Sequence, residues 1–150
     1  MAQIIWKLPN GEIAITTLVE AADHAEEAGR LLEAGLIPAE WSIDHVRGDD
    51  DHFEIADPDF FPALTTRDFK IVVDMPKARA LWRDRIRQAR LPLFSQLDVA
   101  WQRADEAGDN SAKAAVAVQK QSLRDLTADP AIDRAKTVAA LRATWPPTLP

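Results

Sequence analysis

The sequence predicts an α+β fold: a small N-terminal β-hairpin or sheet unit with one helix over residues 1–73, then a long C-terminal antiparallel helical hairpin with short terminal helical turns over residues 74–150. Three observations predict it. Ile4-Ile5-Trp6 and Ile13-Ala14-Ile15-Thr16 flank Asn10-Gly11, and Asn-Gly accepts the positive φ of a tight turn between two β-rich runs. From residue 76 to 106 apolar side chains recur at three- and four-residue steps, with Pro92 the one breaker. Gly108-Asp109-Asn110-Ser111 then supplies a stop and an N-cap before a second helical pattern.

Taken in order, strands are expected at about residues 3–8 and 12–18. Residues 20–34 switch to helical spacing, with Ala21, Ala25, Ala28, Leu31 and Leu32 on one side and Gly35 in the C-terminal stop position, so a helix is expected to pack on the hairpin. Pro38 prevents continuation, and Trp41-Ser42-Ile43-Asp44-His45-Val46 alternates as an amphipathic strand does. Gly48, the acids at 49–51 and the prolines at 58 and 62 favour turns, so residues 47–67 read as mostly loop. Asp68-Phe69-Lys70-Ile71-Val72-Val73 reads as a further strand.

Asp74 can cap the long helix, with Pro76 in the first turn where a missing N–H costs nothing. The stripe is Leu81, Ile86, Ala89, Leu93, Phe94, Leu97, Ala100, Trp101 and Ala104, and Pro92 should kink or divide the helix. Ala112, Ala115, Val116, Gln119, Leu123 and Leu126 form the facing stripe of a second helix ending near Thr127. A helix of about 30 residues is roughly 45 Å long, whereas its partner of about 15 residues covers only about half of it. Residues 76–91 are therefore expected to lean on the N-terminal part or on another subunit. Asp129-Pro130 and Thr137-Val138 begin two short turns, and Trp145-Pro146-Pro147 closes the fold, with Trp145 clamping the C-terminus onto the hairpin. Leu97 and Leu123 are expected in the packing surface.

With 47% apolar and 28% charged residues, a globular chain is expected and disorder is disfavoured. Cysteine is absent, which removes disulfides and thiolate metal sites. The start of the sequence lacks the pattern of a signal peptide, and no stretch approaches the ~20 apolar residues of a membrane span. A net charge of −6 argues against general nucleic-acid affinity and leaves proteins as the expected partners.

An ordered set of short motifs runs through the C-terminal half: Lys77-Ala78-Arg79, Arg85-Ile86-Arg87-Gln88-Ala89-Arg90, Pro92-Leu93, Leu97-Asp98, Glu106-Ala107-Gly108-Asp109, Lys120-Gln121-Ser122-Leu123-Arg124-Asp125 and Trp145-Pro146. On this set, residues 77–150 resemble small tail accessory proteins of tailed bacteriophages and prophages, encoded with tail-fibre genes and grouped with tail-fibre assembly proteins. The resemblance implies a non-catalytic protein that binds tail-fibre or tail-tip proteins, as an assembly factor in the host cytoplasm or as a component of the virion tail, with homo-oligomers open to it. A structural tail-tip or baseplate subunit with no chaperone role is the alternative within that class.

Candidate site residues divide by charge. Seven acids between residues 44 and 59 (Asp44, Asp49, Asp50, Asp51, Glu54, Asp57, Asp59), with His45 and His52, could gather a hard cation. Their spacing fits no calcium loop, and a solvated loop is the plainer reading; a metal-binding or regulatory protein is the alternative function it leaves open. No nucleophile, oxyanion site or convergent acid–base set is legible, so no catalytic residue, metal or cofactor is assigned. The opposite run, Lys77, Arg79, Arg83, Arg85, Arg87 and Arg90, is broken only by Asp84. These residues cannot all share one helix face. Trp82 among them is expected to be exposed before assembly, and a large aromatic beside arginines is a typical interface anchor. Trp82, Arg79, Arg83, Arg85, Arg87 and Arg90 are therefore the expected partner-binding residues, and reversing Arg83, Arg85 and Arg87 to Glu is expected to leave the fold largely intact. Part of this surface could also meet the acidic 44–59 segment. Trp6, Trp41 and Trp101 are expected in the core.

Overall fold

A computed structural model describes residues 2–18, 23–47, 58–68 and 70–150. The chain divides into two compact units, Met1–Lys77 and Ala78–Pro150.

In the first unit, β1 (Ala2–Lys7) and β2 (Ile13–Leu18) pair antiparallel, with Ile5 opposite Ile15. Their turn is closed by Leu8 N–H to Glu12 C=O (2.9 Å) and Gly11 N–H to Leu8 C=O (2.9 Å), while Asn10 Oδ1 accepts from Glu12 N–H. Asn-Gly therefore serves a three-residue loop ending in a left-handed glycine, a geometry that keeps the strands twisted together. β3 (Ser42–Arg47) pairs with the other edge of β1, giving the antiparallel order β2-β1-β3.

Central β1 is buried on both faces, because its alternating side chains enter two separate cores. Ile4 and Trp6 pack with Leu18 and with Ala28, Leu31 and Leu32 of α1 (His24–Glu33). Ile5 packs with Ile13, Leu64, Phe61, Ile71 and Val73. Each fully buried aliphatic or aromatic side chain contributes about 1.5–3 kcal/mol, so this one strand anchors the unit. Helix α1 starts at Asp23, whose carboxylate accepts from Ala25 and Glu26 N–H. The start expected at residues 20–22 lies outside the described residues.

Residues 58–67 are not the loop the sequence suggests. Pro58–Ala63 form a 3₁₀ helix with Phe60 buried, and β4 (Leu64–Arg67) pairs antiparallel with β5 (Lys70–Val73). The proline-rich approach hides the strand, and β4 has only four residues with Leu64 as its one buried member, too short for alternation to show. Asp68 takes a positive φ of 52°, which Asp tolerates better than most residues.

Helix α2 (Met75–Glu106) runs unbroken for 32 residues, about 48 Å, with Asp74 accepting from Lys77 N–H at its start. Pro92 sits inside it without dividing it. The Gln88 carbonyl deprived of a donor belongs to an exposed residue, as does Pro92, so water can satisfy it. Gly108, at φ 65°, ends the helix: Asp109 N–H bonds Ala104 C=O and Gly108 N–H bonds Asp105 C=O. Asp109 then caps α3 (Asn110–Asp125) by accepting from Ala112 N–H.

The second unit continues through a 3₁₀ turn (Leu126–Ala128), α4 (Pro130–Arg134, capped by Asp129) and α5 (Val138–Arg142, capped by Thr137). Its buried residues include Ala78, Trp82, Ile86, Ala104, Val116, Ile132, Leu141 and Leu149. Trp82 Nε1 donates to Thr144 Oγ1 (3.0 Å), and Trp145 stands edge-on to Trp82 at 5.1 Å. The length mismatch between α2 and α3 is thus met at Trp82 by the chain's own C-terminal segment, where the sequence pointed to the N-terminal part or a second subunit.

Candidate functional site

The expected partner face lies on α2, and the structure engages most of it internally. Trp82 is only 4% exposed, so its indole is a packing group and not a free anchor. Two of the neighbouring arginines turn inward as well. Arg83 Nε donates to Thr127 C=O (3.2 Å), and its Nη2 pairs with Asp133 (2.7 Å). Arg90 Nη1 donates to the Leu123 and Arg124 carbonyls at 2.8 and 3.0 Å. Those are last-turn carbonyls of α3, which lack helical donors and carry the negative end of the helix dipole, so a guanidinium satisfies both needs. Arg79 is half-buried, and its Nε is buried with no hydrogen-bond partner among the described residues. Arg87 is exposed and pairs with Asp84 one turn before it; Arg85 is half-buried.

Between the long helices, opposite charges set the register. Asp98 pairs with Lys120 and Asp105 with Lys113, both at 2.7 Å, two turns apart on each helix and in opposite directions. The same lysines lie 5.4 and 5.7 Å from the Trp101 ring centre, and Arg90 and Arg124 flank Phe94 at 5.6 and 5.7 Å. Trp101 is nevertheless 37% exposed, against its expected place in the core. Trp6 is fully buried with Nε1 donating to Thr16, and Trp41 packs half-buried on the same core.

In the first unit, β3 carries one extra residue opposite Ile5 and Trp6, and the bulge falls at Asp44. Asp44 accepts from His45 Nδ1 (2.7 Å) and from Thr66 Oγ1 on β4 (2.9 Å), tying the three-stranded sheet to the β4–β5 hairpin. Burial pushes the Asp44 carboxyl up, but the hydrogen bonds from His45 and Thr66 and the electrostatic attraction of His45 and Lys7 outweigh it, holding the group below the usual carboxylate range. The carboxylate stands between the threonine and the imidazole, so His45 is not placed to take the threonine proton as a triad base would. Asp133 is held low by its hydrogen bond from Arg83, against a smaller desolvation effect, with the Arg83 and Arg79 charges adding to it.

Most of the acidic 44–59 segment, including His52, lies outside the described residues. Among the described residues, no three His, Asp or Glu side chains gather as a metal site, and no helix is long and apolar enough to cross a membrane. Sequence reasoning missed a surface cleft of about 610 Å³ at the C-terminal end of α3, lined by Asp125, Leu126, Asp129, Trp145 and Pro147 among others. Its acids look like helix-end residues in the sequence, and only folding brings Trp145-Pro146-Pro147 beside them.

Compared with known proteins, the chain matches no family model, no curated protein and no solved structure.

Proposed function

We propose that this chain is a non-catalytic accessory protein of a phage tail that binds tail-fibre or tail-tip proteins, either as an assembly factor or as a virion component. The observation that carries the reading is the ordered motif set of the C-terminal half, together with what its residues do. Asp98 and Lys120 pair across the helical hairpin, Gly108-Asp109 make its connection, Arg90 caps the end of α3, and Trp145 packs on Trp82. The motifs that resemble tail proteins are thus the residues that hold one scaffold in shape. A scaffold of this kind acts by presenting a surface, so its function is protein contact. Within that function the outward remainder of the basic run, Arg87 above all, steers encounter more than it adds affinity.

The test is mass spectrometry of purified particles and of infected-cell lysate from the phage or lysogen that encodes the chain. Fixed stoichiometry in particles assigns a tail-tip or baseplate component. Co-purification with a fibre protein from lysate and absence from particles assigns an assembly factor. Association with neither contradicts the proposal.

A further inference from the structure

We propose that the cleft at the C-terminal end of α3 is the docking site for an extended segment of a partner protein that inserts an arginine or lysine side chain. Charge complementarity identifies the occupant. The charged side chains lining the cleft are Asp125 and Asp129, both exposed, and no lining residue is cationic. Asp125 Oδ1 already accepts from Gln121 and Asp129 Oδ1 from Ala131 N–H. A carboxylate accepts about four hydrogen bonds, so each retains capacity for an incoming guanidinium or ammonium. Leu126, Trp145 and Pro147 supply the apolar wall on which the stem of such a side chain lies, and an indole ring attracts the cationic head. The wall is also firmly placed: Trp145 rests edge-on against the buried Trp82, whose indole is bonded to Thr144, another lining residue. At about 610 Å³ the cleft falls within the range of about 300–1,000 Å³ usual for ligand pockets, room for more than one side chain and so for the backbone beside it.

The inference deepens the tail-protein reading and rests on its premise that the chain works through protein contacts. It moves the contact from the basic face of α2, much of which is engaged within the fold, to an acidic aromatic cleft.

The test is nuclear magnetic resonance titration of the full chain with capped Ala-Arg-Ala-Arg-Ala, using Ala-Glu-Ala-Glu-Ala as the opposite-charge probe. Trp145 signals are assigned from a Trp145→Phe sample. The expected result is saturable shifts at Trp145, Ser122 and Ala131 with the arginine peptide alone. Asp125→Asn with Asp129→Asn should weaken binding about tenfold or more, whereas Glu26→Gln with Glu33→Gln, the same charge change on exposed α1 positions, should leave it within about twofold. Asn serves as an N-cap about as well as Asp, so the double variant keeps α4 capped. Equal weakening by both pairs would reduce the effect to overall charge and overturn the proposal, as would equal binding of the glutamate peptide or no saturable shift at Trp145. Self-association abolished by the Asp125 and Asp129 changes would assign the cleft to a second copy and overturn it too. Failure here with the chain still recovered on tail proteins would remove the cleft alone; loss of tail association by the unmodified chain would remove the functional reading.

Discussion

Trp82 and Arg83 occupy adjacent positions on α2 and both face the C-terminal segment, so their substitution tests the packing directly. Trp82→Ala removes a large buried ring and should cost about 3–5 kcal/mol in urea denaturation. Arg83→Glu leaves the Thr127 carbonyl without its donor and should cost about 1–3 kcal/mol. Arg87→Glu, at an exposed position paired with Asp84 of its own helix, should stay within about 0.5 kcal/mol. The basic run thus divides into residues that hold the fold and residues that do not, and a combined reversal of Arg83, Arg85 and Arg87 would confuse the two. In the first unit, Asp44 carries a pH prediction. Its folded value is depressed, so its contribution is fully present above the unfolded value near pH 4 and is lost as pH falls through the folded value. Asp44→Asn should flatten the acid limb of the stability profile below about pH 4; an unchanged limb would show that the bulge carboxylate is not stabilising.

At the scale of elements, the helical hairpin and the short helices beyond it differ in depth of burial. Leu97 and Leu123 are half-buried, whereas Ile132 and Leu141 are fully buried. Leu97→Ala should therefore cost about 1–2 kcal/mol, and Ile132→Ala or Leu141→Ala about 2–5 kcal/mol. Denaturation midpoints in the opposite order would show that the hairpin interface carries the unit's stability. The hairpin itself was legible in the sequence because caps, stops and a three-to-four-residue stripe all agree over Asp74, Gly108, Asp109 and Leu97. The Asn10-Gly11 turn and its strands were legible for the same reason. β4 was not, since four residues behind two prolines leave no period to read. Nor was the burial of Trp82, because a tryptophan among arginines has the same sequence signature whether the guanidiniums meet solvent or the carbonyl ends of a neighbouring helix. That distinction depends on residues 33 to 62 positions away, Leu123, Thr127 and Thr144 among them, which no local pattern connects.

For the whole molecule, the chain's own C-terminal half covers Trp82 and engages Arg83 and Arg90 of α2, while Arg87 stays at the surface. Two indole N–H groups are bonded in the described structure, Trp6 to Thr16 and Trp82 to Thr144, both with buried rings, while Trp101 is substantially exposed. Hydrogen exchange follows local opening, so a buried and bonded N–H exchanges only when its surroundings open. The most direct measurement is exchange at the tryptophan indole N–H groups of the full chain, resolved by magnetic resonance and assigned by single Trp→Phe substitutions. The expected result is strong protection at Trp6 and Trp82 and rapid exchange at Trp101. Exchange at Trp82 as fast as at Trp101 would contradict it, returning that indole to the surface as a free anchor.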